Sequence, residues 1–368
     1  MTLFAPRQRQ ILCLLWREGR LSRWELHERM GINPNAIGAD VSELLGMNLV
    51  RECPPEPAGP GRPRVPLEID GTVRNVAGLA IGPGRVEAGQ LNLRGETNGA
   101  VCARDVSAPE QIVPAACEVL REVIDDRTLA VGVSSTGFID PDKPAILTSS
   151  ALRGKEHASL APLFEIAGDR PVLIENDMHA LAARWLLNQP SAGDEDVLLV
   201  SIGDGQLGAA LLVDGRPNRG CAIGGNELGH TRYFVETDPC YCGHSGCLER
   251  IASTEFLHRQ GGGNGTLASR AAAFAGDDPA MNRVLDCLAT GLSNAVNFIR
   301  PNRMILAGEL ARHDRFTAAL TDQVRARVFV ELAQRVRIDV WNQPVTHSAE
   351  TAGWLALATL YREGWNRS

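Results

Sequence analysis

Over the first fifty positions, apolar residues recur at helical spacing. Ile11, Leu14 and Leu15 share one face of a helix near Arg7 to Glu18. Ser22-Arg23-Trp24-Glu25 has the form of a capping box and opens a second helix that ends at Gly31. Asn33 as N-cap and Pro34 at the first helical position open a third, with Ile37, Val41, Leu44 and Leu45 as its apolar stripe. The short break at Gly31-Ile32 predicts a helix-turn-helix. A strand starts at Leu49-Val50-Arg51, and "PPEPAGPGRPRVPLEI" then reads as an extended, proline-stiffened wing.

From about residue 73 the pattern changes to strands alternating with helices. Val76 to Ile81 and Val86 to Leu93 predict a hairpin through Gly82-Pro83-Gly84. Leu129 to Val133, Val172 to Ile174, Val197 to Ile202, Met304 to Leu306 and Val336 to Val340 are further short apolar strands. Between them lie helical stretches such as Leu285, Leu288, Leu292, Val296 and Ile299, spaced by threes and fours. The class is α/β.

Composition narrows the function. The chain has 368 residues, enough for two or three compact units, with 44% hydrophobic and 22% charged residues. The run Ile11 to Trp16 is too short for a signal-peptide core or a membrane span, so a cytoplasmic protein is expected, with no membrane partner. A net charge of −7 excludes a protein that coats nucleic acid everywhere, but not one small DNA-binding module. Arg62 and Arg64 flank Pro63 in a Gly-Arg-Pro-Arg stretch suited to the narrow, negative minor groove. The candidate recognition helix, Asn33 to Gly46, has no arginine or lysine and carries Asp40 and Glu43. Base reading then falls to Asn33 and Asn35, with Arg62 and Arg64 supplying affinity. A plain three-helix packing bundle is the competing interpretation.

Of nine cysteines, six are scattered as buried thiols usually are, while Cys240, Cys242 and Cys247 form C-x-C-x4-C on a loop opened by Gly243 and Gly246. With His230 they complete one closed, tetrahedral and therefore structural zinc site per chain. A disulfide or three free thiols is the alternative. His244 competes as fourth ligand, but its place inside the loop makes that geometry harder. Glu227 and Glu249 flank these ligands, so closing the metal draws both carboxylates together. Elsewhere Glu175, Asn176 and Asp177 stand where an apolar strand meets a helix, a usual place for a polar binding group. Asp177 as a mere helix cap is the plainer interpretation. Carboxylates and an amide converging on one pocket suit a polyol, whose hydroxyls donate.

These features together resemble the ROK family, which groups sugar-responsive repressors with bacterial sugar kinases. The segment from "ELGH" through "CYCGHSGCLE" carries the likeness, which runs essentially end to end. The resemblance implies zinc on His230, Cys240, Cys242 and Cys247, and sugar contacts from Asn176, Asp177, Glu227, His230 and Glu249. Asp177 matches the kinases' catalytic base. The kinases' G-I-D-I-G-G-T-K stands here as Gly78 to Arg85, with Ala80 for the acid and Gly84 for the threonine. Their G-T-G loop has become Gly203-Asp204-Gly205, and the third glycine turn is Ala307-Gly308-Glu309. Carboxylates beside an incoming phosphate repel it, and phosphoryl transfer lives on charge neutralisation.

The resemblance implies a winged helix-turn-helix (1–72) on a two-lobed, actin-like ATPase body of the ribonuclease H-like, sugar-kinase type. Lobe one spans 73–190 plus 345–368, including a C-terminal helix near Ala349 to Tyr361. Lobe two spans 191–344 and holds the zinc. It further implies a repressor that senses a sugar or sugar phosphate between its lobes and, as a homodimer or homotetramer, releases operator DNA. An active sugar kinase with an added DNA-binding domain, and a regulator answering to a protein partner, are the rival readings.

Overall fold

The structure is a computed structural model, and it describes residues 3–55, 64–140, 143–148, 157–189, 195–220, 224–232, 238–261, 263–344, 347–362 and 365. Two units emerge, residues 1–192 with 347–368, and residues 193–346.

The first unit begins with helices α1 (Pro6–Glu18), α2 (Arg23–Met30) and α3 (Pro34–Gly46). Strands β1 (Leu21–Ser22), β2 (Val50–Glu52) and β3 (Pro66–Ile69) form an antiparallel sheet ordered β1-β3-β2. The local signals act as their chemistry dictates. Glu25 N donates to Ser22 Oγ while Ser22 N donates to the Glu25 carboxylate, closing the capping box of α2. Gly31 ends α2 at φ 64°, and the Asn33 side chain caps α3 by accepting from Asn35 N at 2.8 Å. Of the expected wing, Arg62 lies outside the described residues and Arg64 within them.

Next come β4 (Asn75–Gly82), β5 (Arg85–Asn92), β6 (Thr97–Asp105), α4 (Ile112–Val123) and β7 (Thr128–Ser135). After them, β8 (Phe138–Asp140), β9 (Ala145–Thr148) and β10 (Ala158–Ser159) make a small antiparallel sheet, and α5 (Ala161–Ala167), β11 (Val172–Asn176) and α6 (Asp177–Leu187) follow. The main sheet is ordered β11-β7-β4-β5-β6; β11, β7 and β4 run parallel, and the β4–β5 hairpin turns through Pro83-Gly84. Leu79, Ile81, Val131 and Val133 form one core with α4 and α5 on one face of that sheet.

The second unit holds β12 (Val197–Gly203), β13 (Gln206–Val213) and β14 (Arg216–Pro217), then α7 (Leu248–Ile251), α8 (Thr254–Arg259), α9 (Leu267–Ala272) and α10 (Pro279–Ile299). It ends with β15 (Arg303–Ala307), α11 (Asp314–Arg327), α12 (Val330–Ala333) and β16 (Arg337–Val340). Its sheet is ordered β14-β13-β12-β15-β16, with α10 and α11 contributing to its core.

The chain then returns to the first unit with α13 (Ala349–Tyr361), every residue of which but Glu350 is buried. Such an all-round apolar helix must be enclosed on every side. The sheet receives it at Gly78 and Gly132, where an added Cβ would stand 2.0 Å from the Ala349 carbonyl oxygen and 2.1 Å from that of Ala352. Its flank packs on α6, where Glu350 pairs with Arg184 at 3.0 Å, and α1 packs against it as well. Among the described residues no helix is long and apolar enough to cross a membrane.

Candidate functional site

The cysteine loop folds back on itself through short bonds. Cys240 N donates to His244 O at 2.7 Å, Gly243 N to Cys240 O at 3.1 Å and Gly246 N to Asp238 O at 3.0 Å. Gly243 at φ 89° and Gly246 at φ 73° supply the left-handed backbone that this reversal needs. The result gathers the sulfurs of Cys240, Cys242 and Cys247 and one His230 nitrogen within 4.8 Å of one another. His230 Nδ1 lies 3.6 Å from Cys240 Sγ, and Cys242 Sγ lies 3.6 Å from Cys247 Sγ. A tetrahedral ion with metal–ligand bonds of about 2.0–2.3 Å gives ligand-to-ligand edges of roughly 3.5–3.8 Å, so these four groups fit a metal. Burial pushes the Cys240 thiol up and that of Cys247 to about 12, a cost that a bound cation reverses by taking the thiolates as ligands.

With Nδ1 turned to the sulfurs, His230 Nε2 faces outward, 3.2 Å from Tyr241 Oη and 3.7 Å from a Glu227 carboxylate oxygen. Glu249, buried in the first turn of α7, accepts from Leu207 N at 3.2 Å. Gly229 permits the approach, since an added Cβ would sit 3.3 Å from that carboxylate and 2.3 Å from Leu207 O. Glu227, His230 and Glu249 thus gather beside the cysteine loop.

In the first unit, Asn176 and Asp177 stand at the C-terminal edge of the parallel strands. The helix cap is Asn176, not Asp177: Asn176 Oδ1 accepts from Met178 N at 2.8 Å and its Nδ2 donates to Gly137 O at 3.0 Å. Asp177 Oδ1 also accepts from Met178 N, at 3.0 Å, which leaves Oδ2 turned toward His347, 3.9 Å away. Burial raises the Asp177 pKa, opposed by the charges of His347 and His179; 29% of its side chain stays exposed, so the desolvation is incomplete.

The kinase-like loops have other uses here. Ala80 is buried in β4. The Asp204 carboxylate accepts from Thr254 N at 2.6 Å and from the Thr254 hydroxyl, so it occupies the start of α8. Glu309 is exposed at the start of a 3₁₀ turn.

In the N-terminal module, Asn33 and Asn35 are exposed at the head of α3, with Ala39 and Ser42 further along. Asp40 and Glu43, which as sequence counted against DNA, turn toward α1: Asp40 takes Arg7 at 2.8 Å and Glu43 takes the Gln8 amide. Arg64 stacks over Trp24, 4.0 Å from the ring centroid, and lies 3.9 Å from Glu25. Trp24 and His347 escaped the sequence reading because each lies far along the chain from the group it meets.

The family model of the ROK family matches residues 77–360. The DNA-binding transcriptional repressor Mlc of Escherichia coli K12 is 26% identical over 247 residues, 65% of this chain and 61% of its own length. A putative xylose repressor of Caldicellulosiruptor sp. is 24% identical over 361 residues and 87% of either chain. An N-acetylmannosamine kinase of Citrobacter koseri is 29% identical over 53% of this chain and 63% of its own. Among solved structures, a ROK family transcriptional regulator described as a homologue of E. coli Mlc superposes with a TM-score of 0.77 at 20% identity, covering 96% of both chains. A Streptomyces griseus ROK glucokinase, bound to glucose and AMPPNP, gives 0.60 at 22% identity, covering 77% of this chain and 99% of its own. Both structures share the α/β, actin-like fold. A model match over residues 77–360 spans most of the chain, and the chain belongs to the ROK family.

Proposed function

We propose that this protein is a sugar-responsive transcriptional repressor whose kinase-like body senses its sugar without phosphorylating it. The observation that carries the reading is coverage. The xylose repressor aligns over 87% of this chain, whereas the glucokinase is used up almost completely on 77% of it. Asp204 supports the loss of catalysis, because its carboxylate already serves the backbone that begins α8.

In this reading His230, Cys240, Cys242 and Cys247 hold one structural zinc, which orders the loop and fixes His230 Nε2 beside Glu227. Asn176, Asp177, Glu227, His230 and Glu249 recognise the hydroxyls of a sugar or sugar phosphate. Asn33 and Asn35 read bases, and Arg62 and Arg64 serve the minor groove. The repressor acts in the cytoplasm as a homodimer or homotetramer on a palindromic operator.

The test selects genomic DNA fragments on the purified full chain, then adds D-glucose, D-xylose or N-acetyl-D-mannosamine. Enrichment of a palindromic site and its release by one sugar support the reading; no enriched site, or release by none of the three, sinks it. Asp177, still present at the head of α6, keeps a kinase reading open to the same protein. Sugar-dependent ATP turnover that vanishes in Asp177→Asn would establish that reading instead.

A further inference from the structure

His347 is absent from every expectation drawn from the cysteine loop and the strand-to-helix turn, yet its Nδ1 stands 3.9 Å from the Asp177 carboxylate. It immediately precedes Ser348, whose side chain caps α13, so it sits at the head of the most enclosed helix of the first unit. Its ring covers the Gly82 turn at the end of β4, with Cδ2 3.1 Å and Nε2 3.5 Å from where a Cβ would stand on Gly82. Both ring nitrogens are shielded from solvent and, among the described residues, neither has a hydrogen-bond partner. Leaving a buried polar atom unsatisfied is costly, so such atoms signal a missing partner.

The partner's size follows from the geometry. His347 Nδ1 and Asp177 Oδ2 stand 3.9 Å apart, too far for a direct hydrogen bond. One oxygen at about 2.8 Å from both atoms subtends roughly 90°, which a hydroxyl achieves by donating to the carboxylate and accepting from the imidazole. A bare carbon in that place satisfies neither group.

We propose that His347 is a specificity-determining residue of the effector site, which together with Asp177 reads a single sugar hydroxyl as donor and acceptor at once. The inference rests on the sugar-sensing reading above and extends it. The five expected contacts supply mainly acceptors, which recognise a hydroxyl only by its hydrogen. His347 adds the donor that recognises its oxygen. A site that bonds a hydroxyl in both directions discriminates strongly against the analogue lacking it, because both protein groups are then left unpaired.

The experiment measures calorimetric binding of D-glucose, D-xylose and N-acetyl-D-mannosamine to the full chain, and then of the monodeoxy analogues of the tightest sugar. For the wild type, one deoxy position shows the largest loss. His347→Ala weakens the parent sugar by about 3- to 10-fold and, at that position alone, narrows the parent-to-deoxy ratio by a similar factor. A residue that merely props the fold would weaken all analogues alike and leave the ratios unchanged. His347→Gln, which keeps an N–H donor, restores part of the discrimination and serves if the alanine variant does not fold. Ratios in the variants equal to those of the wild type overturn the role of His347 and leave sugar sensing intact. No binding of any of the three sugars by the wild type overturns both.

Discussion

The indole of Trp16 donates from Nε1 to the carbonyl oxygen of Leu187 across 2.9 Å. That carbonyl belongs to the last residue of α6, the helix whose opposite end carries Asn176 and Asp177. The same indole stacks on Tyr361, with centroids 4.6 Å apart and planes at 18°, and meets Trp354 edge-on at 6.0 Å. The N-terminal module is therefore seated on α6 and α13, and α6 joins that seat to the turn that carries Asn176 and Asp177.

Trp16→Phe keeps most of the stacking and removes the donor, leaving the Leu187 carbonyl to find water, at a cost of about 1 kcal/mol. Trp16→Ala also loses the aromatic packing; the side chain is half-buried, so about 2–3 kcal/mol is expected, the low end for large core truncations. Chemical denaturation of the full chain measures both. The coupling is measured separately: the alanine variant binds sugar as the wild type does, while its sugar-driven release from DNA is blunted.

Glu68 gives the junction a pH dependence. Burial alone would raise its pKa, but Arg20, Arg51 and Arg94 all bond its carboxylate and bring it to about 2, from an ordinary value of 4.5. Arg20 and Arg51 come from the N-terminal module, whereas Arg94 lies in the β5–β6 turn and also holds Ile69 O. A depressed carboxyl pKa stabilises the folded state above the unfolded value and ceases to as pH falls through the folded one. The contribution, about 3 kcal/mol at most, is thus constant from pH 8 to 5 and fades between 4.5 and 2. Denaturation of wild type and Glu68→Gln across that range checks it: their difference holds near neutrality and narrows below pH 4.5.

The cysteine–histidine cluster makes a simpler prediction. Cys242 is exposed, so Cys242→Ser fits its place sterically while removing a soft ligand. Elemental analysis finds one zinc per wild-type chain and markedly less in the variant. The variant's Tm falls, at roughly 2–4 °C per kcal/mol for a unit of this size. In the sugar-sensing reading, sugar binding weakens too, because His230 loses its anchor beside Glu227.

How much of this was readable beforehand follows from where each signal resides. Helix caps, the Gly31 stop and the cysteine loop are local chemistry, and Ser22, Asn33 and the C-x-C-x4-C spacing announced them directly. Strand β6 did not announce itself: all of its Thr97–Asp105 residues are at least partly exposed, so no apolar alternation marks it. Asp40 and Glu43 looked like charges offered to DNA because sequence shows which residues share a helix but not which face the neighbour covers; Arg7 and Gln8 decide that from α1. His347 and Trp16 owe their partners to contacts spanning 170 and 171 positions, which no periodicity encodes.

Asp204 separates a disabled kinase from a repurposed one. Its carboxylate bonds the Thr254 backbone N–H and hydroxyl, the work of a cap, and the Thr254 hydroxyl in turn accepts from Leu267 N at 2.7 Å. Asp204→Thr restores the family's Gly-Thr-Gly loop and removes the repelling charge. If the aspartate were only a block, that change would let ATP bind and turn over. The structure gives it a structural task, and Ala80 and Gly84 still lack the acid and hydroxyl needed to organise phosphates. Asp204→Thr therefore costs about 1 kcal/mol of stability, as the loss of a cap does, and yields no sugar-dependent ATP hydrolysis. A coupled-enzyme assay with each of the three sugars decides the matter, and measurable turnover would show that the phosphate sites had stayed intact behind a single charge.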